Sequence, residues 1–383
     1  MRRSAFLVPL ALVAAACGGD DSAGPSTTGG GVAPEVTAPE PTAPASSLPE
    51  VTAPEPTGPG PAPTAVLPPD LLPAADLFEP LGPTVIPHGP DGAWNARFTD
   101  PGAVVVHDGA VYVFQNGFPT WPGPVGVGLW RSDDDGATFT EVSADPVFEG
   151  NDLPYAGVAV LASSVHVEAD GTWVMYFSTW EAITWPTAPS RIGRATAPAP
   201  EGPWTADAEP VLEPEDVGAW ASGAVRAPSV VLGPDGEYHM WFSGVADGTA
   251  AIGHATSSDG VEWAPDPEPV LLPSTEGWDS PHVHQPRVVL SPDGFVMAYT
   301  AANSVSNGTA MRQAHGLAVS ADGVTWTRSD GPVVDAAEAG GRIIWFIALA
   351  WTGDRYLYFA EVGTGGTTDV HVAVHQGSVL PPG

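Results

Sequence analysis

Runs of β-branched and aromatic residues recur along the chain, each broken by a short polar turn. The first runs from Arg97-Phe98-Thr99-Asp100-Pro101-Gly102 through Val104-Val105-Val106 to Asp108-Gly109, then Val111-Tyr112-Val113-Phe114. An Asp-Gly pair tolerates the positive φ of a tight hairpin, so the pattern reads as strand, turn, strand. The same pattern follows Ser163-Ser164-Val165, Arg226-Ala227-Pro228, His284-Gln285-Pro286 and Trp345-Phe346-Ile347. The turns fall at 108, 170, 235, 293 and 353, in steps of 62, 65, 58 and 60 residues. A near-constant period of that size predicts stacked or radial repeats.

Each hairpin is followed by a third strand and a polar-aromatic turn. Examples are Ser132-Asp133-Asp134-Asp135-Gly136-Ala137-Thr138-Phe139, Ser257-Ser258-Asp259-Gly260-Val261-Glu262-Trp263 and Ser320-Ala321-Asp322-Gly323-Val324-Thr325-Trp326. The aspartate can bond the turn's own amides, and the aromatic can plug a gap between units. A fourth, outer strand is predicted at Asp145-Pro146-Val147-Phe148, Glu209-Pro210-Val211-Leu212, Glu268-Pro269-Val270-Leu271 and Gly331-Pro332-Val333-Val334, since an edge tolerates proline. The fifth unit lacks that strand, whereas Gly82-Pro83-Thr84-Val85-Ile86 carries its signature near the start. The expected fold is therefore all-β: a propeller of five four-stranded blades at about 97–149, 157–213, 224–273, 282–335 and 342–376, the last closed by 82–87.

Upstream of 76 the pattern vanishes. Residues 1–16 carry Arg2 and Arg3 ahead of a short apolar core, too short to be retained as a membrane span and suited to an export signal. Cys17 is the only cysteine and stands where a bacterial lipoprotein carries its lipid, after Ala14-Ala15-Ala16. An ordinary cleaved secretion signal is the alternative. Residues 17–75 are rich in Pro, Thr, Ala and Gly and nearly free of aromatics, as a disordered tether would be. The expected location is the outer face of the cytoplasmic membrane, anchored by lipid, or else the periplasm or the medium. With one cysteine, no internal disulfide is available.

Charge narrows the partners. Twelve Lys+Arg against 45 Asp+Glu give −33, and loss of Arg2 and Arg3 would leave 10 − 45 = −35. Such a surface repels nucleic acid and anionic lipid, so membrane contact is expected only through the anchor and the chain is expected to act as a monomer. No nucleotide-binding, zinc-protease or Cys-x-x-Cys motif is present, and no cofactor is expected.

Five blades with an Asp-Pro opening the first inner strand resemble the glycosidase propellers of glycoside hydrolase families 43, 32, 62, 68, 117 and 130, over roughly 80–383. The Ser-x-Asp-x-Gly turn resembles the Asp-box of sialidases. The resemblance implies a sugar-binding pocket at one mouth of the central channel. It also implies a base or nucleophile from blade one, a second Asp from blade two and an acid Glu from blade three. Asp100 matches the first of these. Aligned on the prolines, its column reads Ala162, Ala227, Gln285 and Trp345 in the other blades, so the remaining carboxylates are absent there.

Glu181 and Glu361 lie just beyond second strands on the same rim and are candidates for a relocated acid. His284 and His282 are further candidates, because histidine donates protons near neutrality, and Asp152 is a weaker one. Arg97, Arg226, Arg287 and Arg342 cluster at the starts of inner strands. A buried guanidinium needs an acid or an anionic ligand, so either the ligand carries a carboxylate, sulfate or phosphate or Asp100 and Glu361 neutralise these arginines internally. Asn116, Gln285, Trp180 and Trp345 complete the candidate substrate-binding set. The resemblance also implies a single ion near a central histidine, a place His282 or His284 could fill. The alternative function is a catalytically silent propeller that binds glycan or protein.

Overall fold

Each hairpin becomes an antiparallel pair because one face of every strand is buried, and a one-residue slip would expose its apolar set. The computed structural model describes residues 70–120, 123–180, 189–302, 313–336, 340, 342–364 and 366–382, which lie in one unit spanning 64–383. Five antiparallel sheets follow one another. Their inner strands are Phe98–His107, Ala159–Val167, Ala224–Leu232, His282–Ser291 and Ile343–Trp351. Each contacts the next in sequence, and the last contacts the first, so the strands close a ring around a central channel. The fold is a five-bladed β-propeller.

Closure follows the expected route. In the last blade the order is Thr84–Ile86, Thr368–Gln376, Arg355–Gly363, Ile343–Trp351, so the earliest strand is the outer strand of the final blade. Ile86 is fully buried and pairs with Val370. Gly82 N–H donates to Val372 O at 2.8 Å, and His88 N–H to Asp369 Oδ1 at 2.8 Å.

The outer edges of the other blades differ from expectation. Their named outer strands are two-residue pieces at Thr140–Glu141, Thr205–Ala206, Ala264–Pro265 and Thr327–Arg328. In blades one to three the proline-bearing segments make only isolated bridges, Val127 with Phe148, Ile192 with Leu212 and Ile252 with Leu271. Proline has no N–H to donate, so a ladder cannot run through Pro146, Pro210 or Pro269 and the edge is split in two. In blade four Val334–Asp335 pairs with the third strand Gln313–Ser320.

The Ser-x-Asp turns are internally satisfied. Ser132 Oγ accepts from Gly136 N–H at 2.9 Å, and Asp134 Oδ1 accepts from Thr138 N–H at 2.8 Å. Aromatic side chains fill the gaps between blades: the fully buried Trp241 of blade three donates to Gly323 O in a blade-four turn at 2.8 Å.

Candidate functional site

All five inner strands bend at one level. In blade one the pairing jumps from Asp100 opposite Asn116 to Ala103 opposite Phe114. In blades three, four and five it jumps from Arg226–Ser243 to Ser229–Trp241, from His284–Thr300 to Arg287–Ala298, and from Ile344–Val362 to Ile347–Ala360. Each jump is a bulge of one extra residue on the inner strand, and such bulges re-aim side chains. Gly102, Ala227 and Gln285 take up φ of +50°, +53° and +53° there.

The pairing corrects the proline-based alignment. Pro101 precedes the positive-φ residue of its bulge, whereas Pro228 and Pro286 follow theirs. By strand register the counterparts of Asp100 are therefore Arg226, His284 and Ile344, one residue earlier than Ala227, Gln285 and Trp345.

Asp100 is fully buried. Its Oδ1 accepts from Gly102 N–H at 2.7 Å and from Asn116 Nδ2 at 2.9 Å, while its buried Oδ2 has no hydrogen-bond partner among the described residues. Glu361, 3% exposed, lies on the second strand of blade five, in the neighbouring sheet. Its Oε2 accepts a long 3.4 Å bond from Phe346 N–H, and the Thr368 side chain also hydrogen-bonds to it. Thr368 joins the blades: its Oγ1 accepts from Thr99 N–H at 3.0 Å, and its own N–H donates to Arg97 O at 2.8 Å.

Burial raises the pKa of both carboxyls, and the charge of Asp100 raises that of Glu361 further. Asp100 is pulled back by the Asn116 and Gly102 hydrogen bonds and by the Arg287 charge. Glu361 has weaker support and a negative neighbour. Of the two, Glu361 therefore keeps its proton to higher pH than Asp100.

The candidate cations fall into two groups. Arg226 and Arg287 are 4% and 5% exposed, and burial lowers both their pKa values without making either neutral near pH 7. Arg226 lies over the Trp180 ring, 5.1 Å from its centroid. Arg287 Nε donates to Ile347 O at 2.9 Å and Nη1 to Pro286 O at 2.9 Å. Arg97 and Arg342 are exposed. Arg226, Arg287, Trp180, Gln285, Asn116 and Phe346 together line a constriction of about 10 Å³ in the channel.

His284 is buried beside Arg226, His282 and His315, and burial with the Arg226 charge pushes its pKa down to about 3. It is neutral at pH 7 and has no imidazolium proton to give. His282 is likewise lowered by burial, and its Nδ1 accepts from Ala250 N–H at 3.4 Å. Asn116 is occupied structurally: besides Asp100, it exchanges hydrogen bonds with Ala162 O at 3.0 Å and Ala162 N–H at 2.8 Å, latching blade one to blade two. Gln285 N–H donates to Ser243 Oγ at 2.7 Å and its Oε1 accepts from Thr300 Oγ1 at 3.0 Å, while Trp345 is half-buried. Glu181 and Cys17 lie outside the described residues. Thr368 and His315 carry no motif; burial and partners alone mark them. Among the described residues no group of three or more His, Cys, Asp or Glu side chains is placed to hold a metal ion.

The fold is similar to the five-bladed propellers of glycoside hydrolases. Residues 221–343 match the family described as glycosyl hydrolases family 32 N-terminal domain. The structure is similar to a glycoside hydrolase family 130 protein from work on enzymes that target β-1,2 mannosidic linkages in Candida mannan, at TM-score 0.59, 19% identity, 82% of this chain and 99% of that one. A putative glycosidase from Bacteroides thetaiotaomicron gives TM-score 0.59 and 19% identity over 79% of this chain and 97% of that one. A thermostable family-43 glycoside hydrolase gives TM-score 0.55 and 14% identity over 75% and 91%. No curated protein sequence matches the chain.

Proposed function

We propose that this protein is a glycoside hydrolase, tethered through Cys17 to the outer face of the cytoplasmic membrane, whose pocket lies at the channel mouth beside Asp100. The observation that carries the reading is the coupled pair of buried carboxyls from blades one and five. Glycoside hydrolysis needs one carboxyl protonated and one ionised across the scissile bond, and environments that separate two pKa values supply that division. Glu361 protonates the leaving oxygen. Asp100, held ionised by Asn116, Gly102 and Arg287, attacks the anomeric carbon or activates a water. Separations of roughly 5–5.5 Å or 6.5–9.5 Å distinguish those two courses. The fold of the structural neighbours and the family match over 221–343 support a sugar as substrate.

Arg226 and Arg287, both charged and buried at the constriction, favour an acidic sugar, with Trp180 offering a face to a ring. The test is release of reducing sugar from a panel of mannan, arabinan, levan and pectin. Activity on one polymer that disappears in Asp100→Asn and Glu361→Gln supports the reading. Turnover unchanged in both variants overturns it.

A second reading, a binding propeller without turnover, is favoured by the near-complete burial of both carboxyls. Under it, both variants keep wild-type affinity for a polymer that the protein binds and never cleaves.

A further inference from the structure

Blade three carries a second set of titratable side chains, none of which belongs to the Asp100–Glu361 pair. His239, on the second strand Tyr238–Ala246, and His254, on the third strand Thr249–Ser257, are diagonal neighbours on one face of the sheet. Both are buried, at 6% and 3% exposed. Their rings stack with centroids 5.2 Å apart, and His239 Nδ1 lies 3.0 Å from His254 Nε2. Each outer nitrogen meets a carboxylate. His239 Nε2 is 3.3 Å and 3.2 Å from the two oxygens of Asp235, in the hairpin turn before its strand. His254 Nδ1 is 2.8 Å from Asp266 Oδ2, just past the outer piece Ala264–Pro265. The Trp241 and Phe295 rings pack against His239, and Asp322, from a turn of blade four, adds its negative charge near His254.

The row Asp235–His239–His254–Asp266 has three contacts, and each needs one hydrogen. A neutral imidazole carries one N–H, so two neutral rings supply only two. One contact then sets a lone pair against a lone pair, which is costly between buried groups. A third proton, making one ring an imidazolium, completes the row. Burial lowers the pKa of His254 against the opposing pull of Asp266, so the third proton sits on His239, facing the exposed carboxylate of Asp235. When that proton leaves, the contact to Asp235 gives way. It is the longest of the three, and an exposed carboxylate can turn to water, whereas Asp266 is held in place by its own N–H on His254 O at 2.8 Å.

We propose that this row is a proton-operated latch: one added proton fastens the Asp235 turn to the outer edge of blade three through His239 and His254, and its loss releases the carboxylate of the turn. The latch stands whether or not the protein hydrolyses glycans. Histidine is the side chain suited to it, since its charge changes within the range of pH that a folded protein meets.

The experiment is nuclear magnetic resonance of the full chain, with nitrogen-labelled histidine and carbon-labelled aspartate, at about pH 5.5 and about pH 8.5, either side of the ordinary histidine value. His239→Gln and His254→Gln identify the two rings. At the lower pH both nitrogens of His239 are expected to carry hydrogen while His254 carries it on Nδ1 alone. At the higher pH His239 keeps only its Nδ1 hydrogen, and the Asp235 carboxyl signal moves with the same midpoint. Asp266→Asn, at a half-buried position, separates a latch from mere packing. Its amide offers the missing hydrogen to His254 Nδ1, so both rings can stay neutral and each donates through Nε2. In that variant the His239 midpoint should fall by at least about one pH unit, a tenfold loss of proton affinity, and the hydrogen of His254 should move to Nε2. A single hydrogen on His239 at the lower pH, an Asp235 signal that does not follow His239, or an unchanged midpoint in Asp266→Asn overturns the proposal.

Discussion

The negative charge of Asp100, on the inner strand of blade one, raises the pKa of Glu361, on the second strand of blade five. Two carboxyls more than two hundred and fifty positions apart in sequence are thus one titrating unit, and the ring is what joins them. If that unit is catalytic, Glu361→Gln and Asp100→Asn each lower kcat by at least about a hundredfold, the usual contribution of a positioned acid or base. The check is initial rate on the polymer found active, with circular dichroism showing that the variants fold.

The pH dependence carries the sign of the shifts. Activity needs Glu361 protonated and Asp100 ionised, and burial raises both. The optimum is therefore expected near neutrality, between about 7 and about 8, rather than near the ordinary carboxyl values of about 4. Stability follows by linkage. A carboxyl whose folded pKa is raised contributes stability that is complete below its unfolded value and is lost as pH rises through its folded value. For Glu361 that window runs from 4.5 to about 8. Glu361→Gln removes the titration, so across that window its melting temperature should rise relative to the wild type. A constant difference between the two proteins across the window would show that Glu361 ionises as an ordinary surface acid.

The ring and its closure were legible because both depend on local chemistry: Asp-Gly turns, period-two burial and an outer-strand signature at Thr84–Ile86. The site was legible only in part. Asp100 stands out by its Asp-Pro, and Glu361 by its place late in a second strand. The one-residue register offset could not be read, because proline falls on opposite sides of the positive-φ residue in blade one and in blades three and four, a backbone choice with the same residue spacing. Nor does sequence tell that Arg287 and Arg226 turn inward while Arg97 and Arg342 stay at the surface. Asn116 read as a substrate ligand, yet its amide is spent on Asp100 and Ala162.

That double engagement makes Asn116→Ala informative. It removes a donor from Asp100 Oδ1 and both partners from the buried backbone of Ala162. Leaving buried polar groups unpaired costs about 1–3 kcal/mol each, so the denaturant midpoint should fall measurably. The carboxylate of Asp100 also loses its largest stabilising hydrogen bond, which moves the acid limb of the activity profile to higher pH. A residue that only contacts substrate would instead raise KM and leave both the midpoint and the limb in place.

Closure by the early strand is the remaining dependency, since Asp100 and Glu361 belong to the first and last blades, on either side of the seam, and the charge of Asp100 acts on Glu361 across it. Ile86 is fully buried, packed in one cluster with Val111 and Val113 of blade one and with Phe359 and Val370 of blade five. Truncating a buried isoleucine to alanine costs about 2–5 kcal/mol where the site cannot collapse, and a seam between two sheets has little freedom to do so. Ile86→Ala should lower the unfolding free energy by that amount. It should also speed amide exchange first in Thr368–Gln376, the strand that Thr84–Ile86 covers. Because Thr368 on that strand bonds both Glu361 and Thr99, loosening it frees the Glu361 carboxyl, and activity should fall at temperatures where the protein as a whole is still folded. A variant with wild-type exchange in Thr368–Gln376 would mean that the ring stays shut without its borrowed strand.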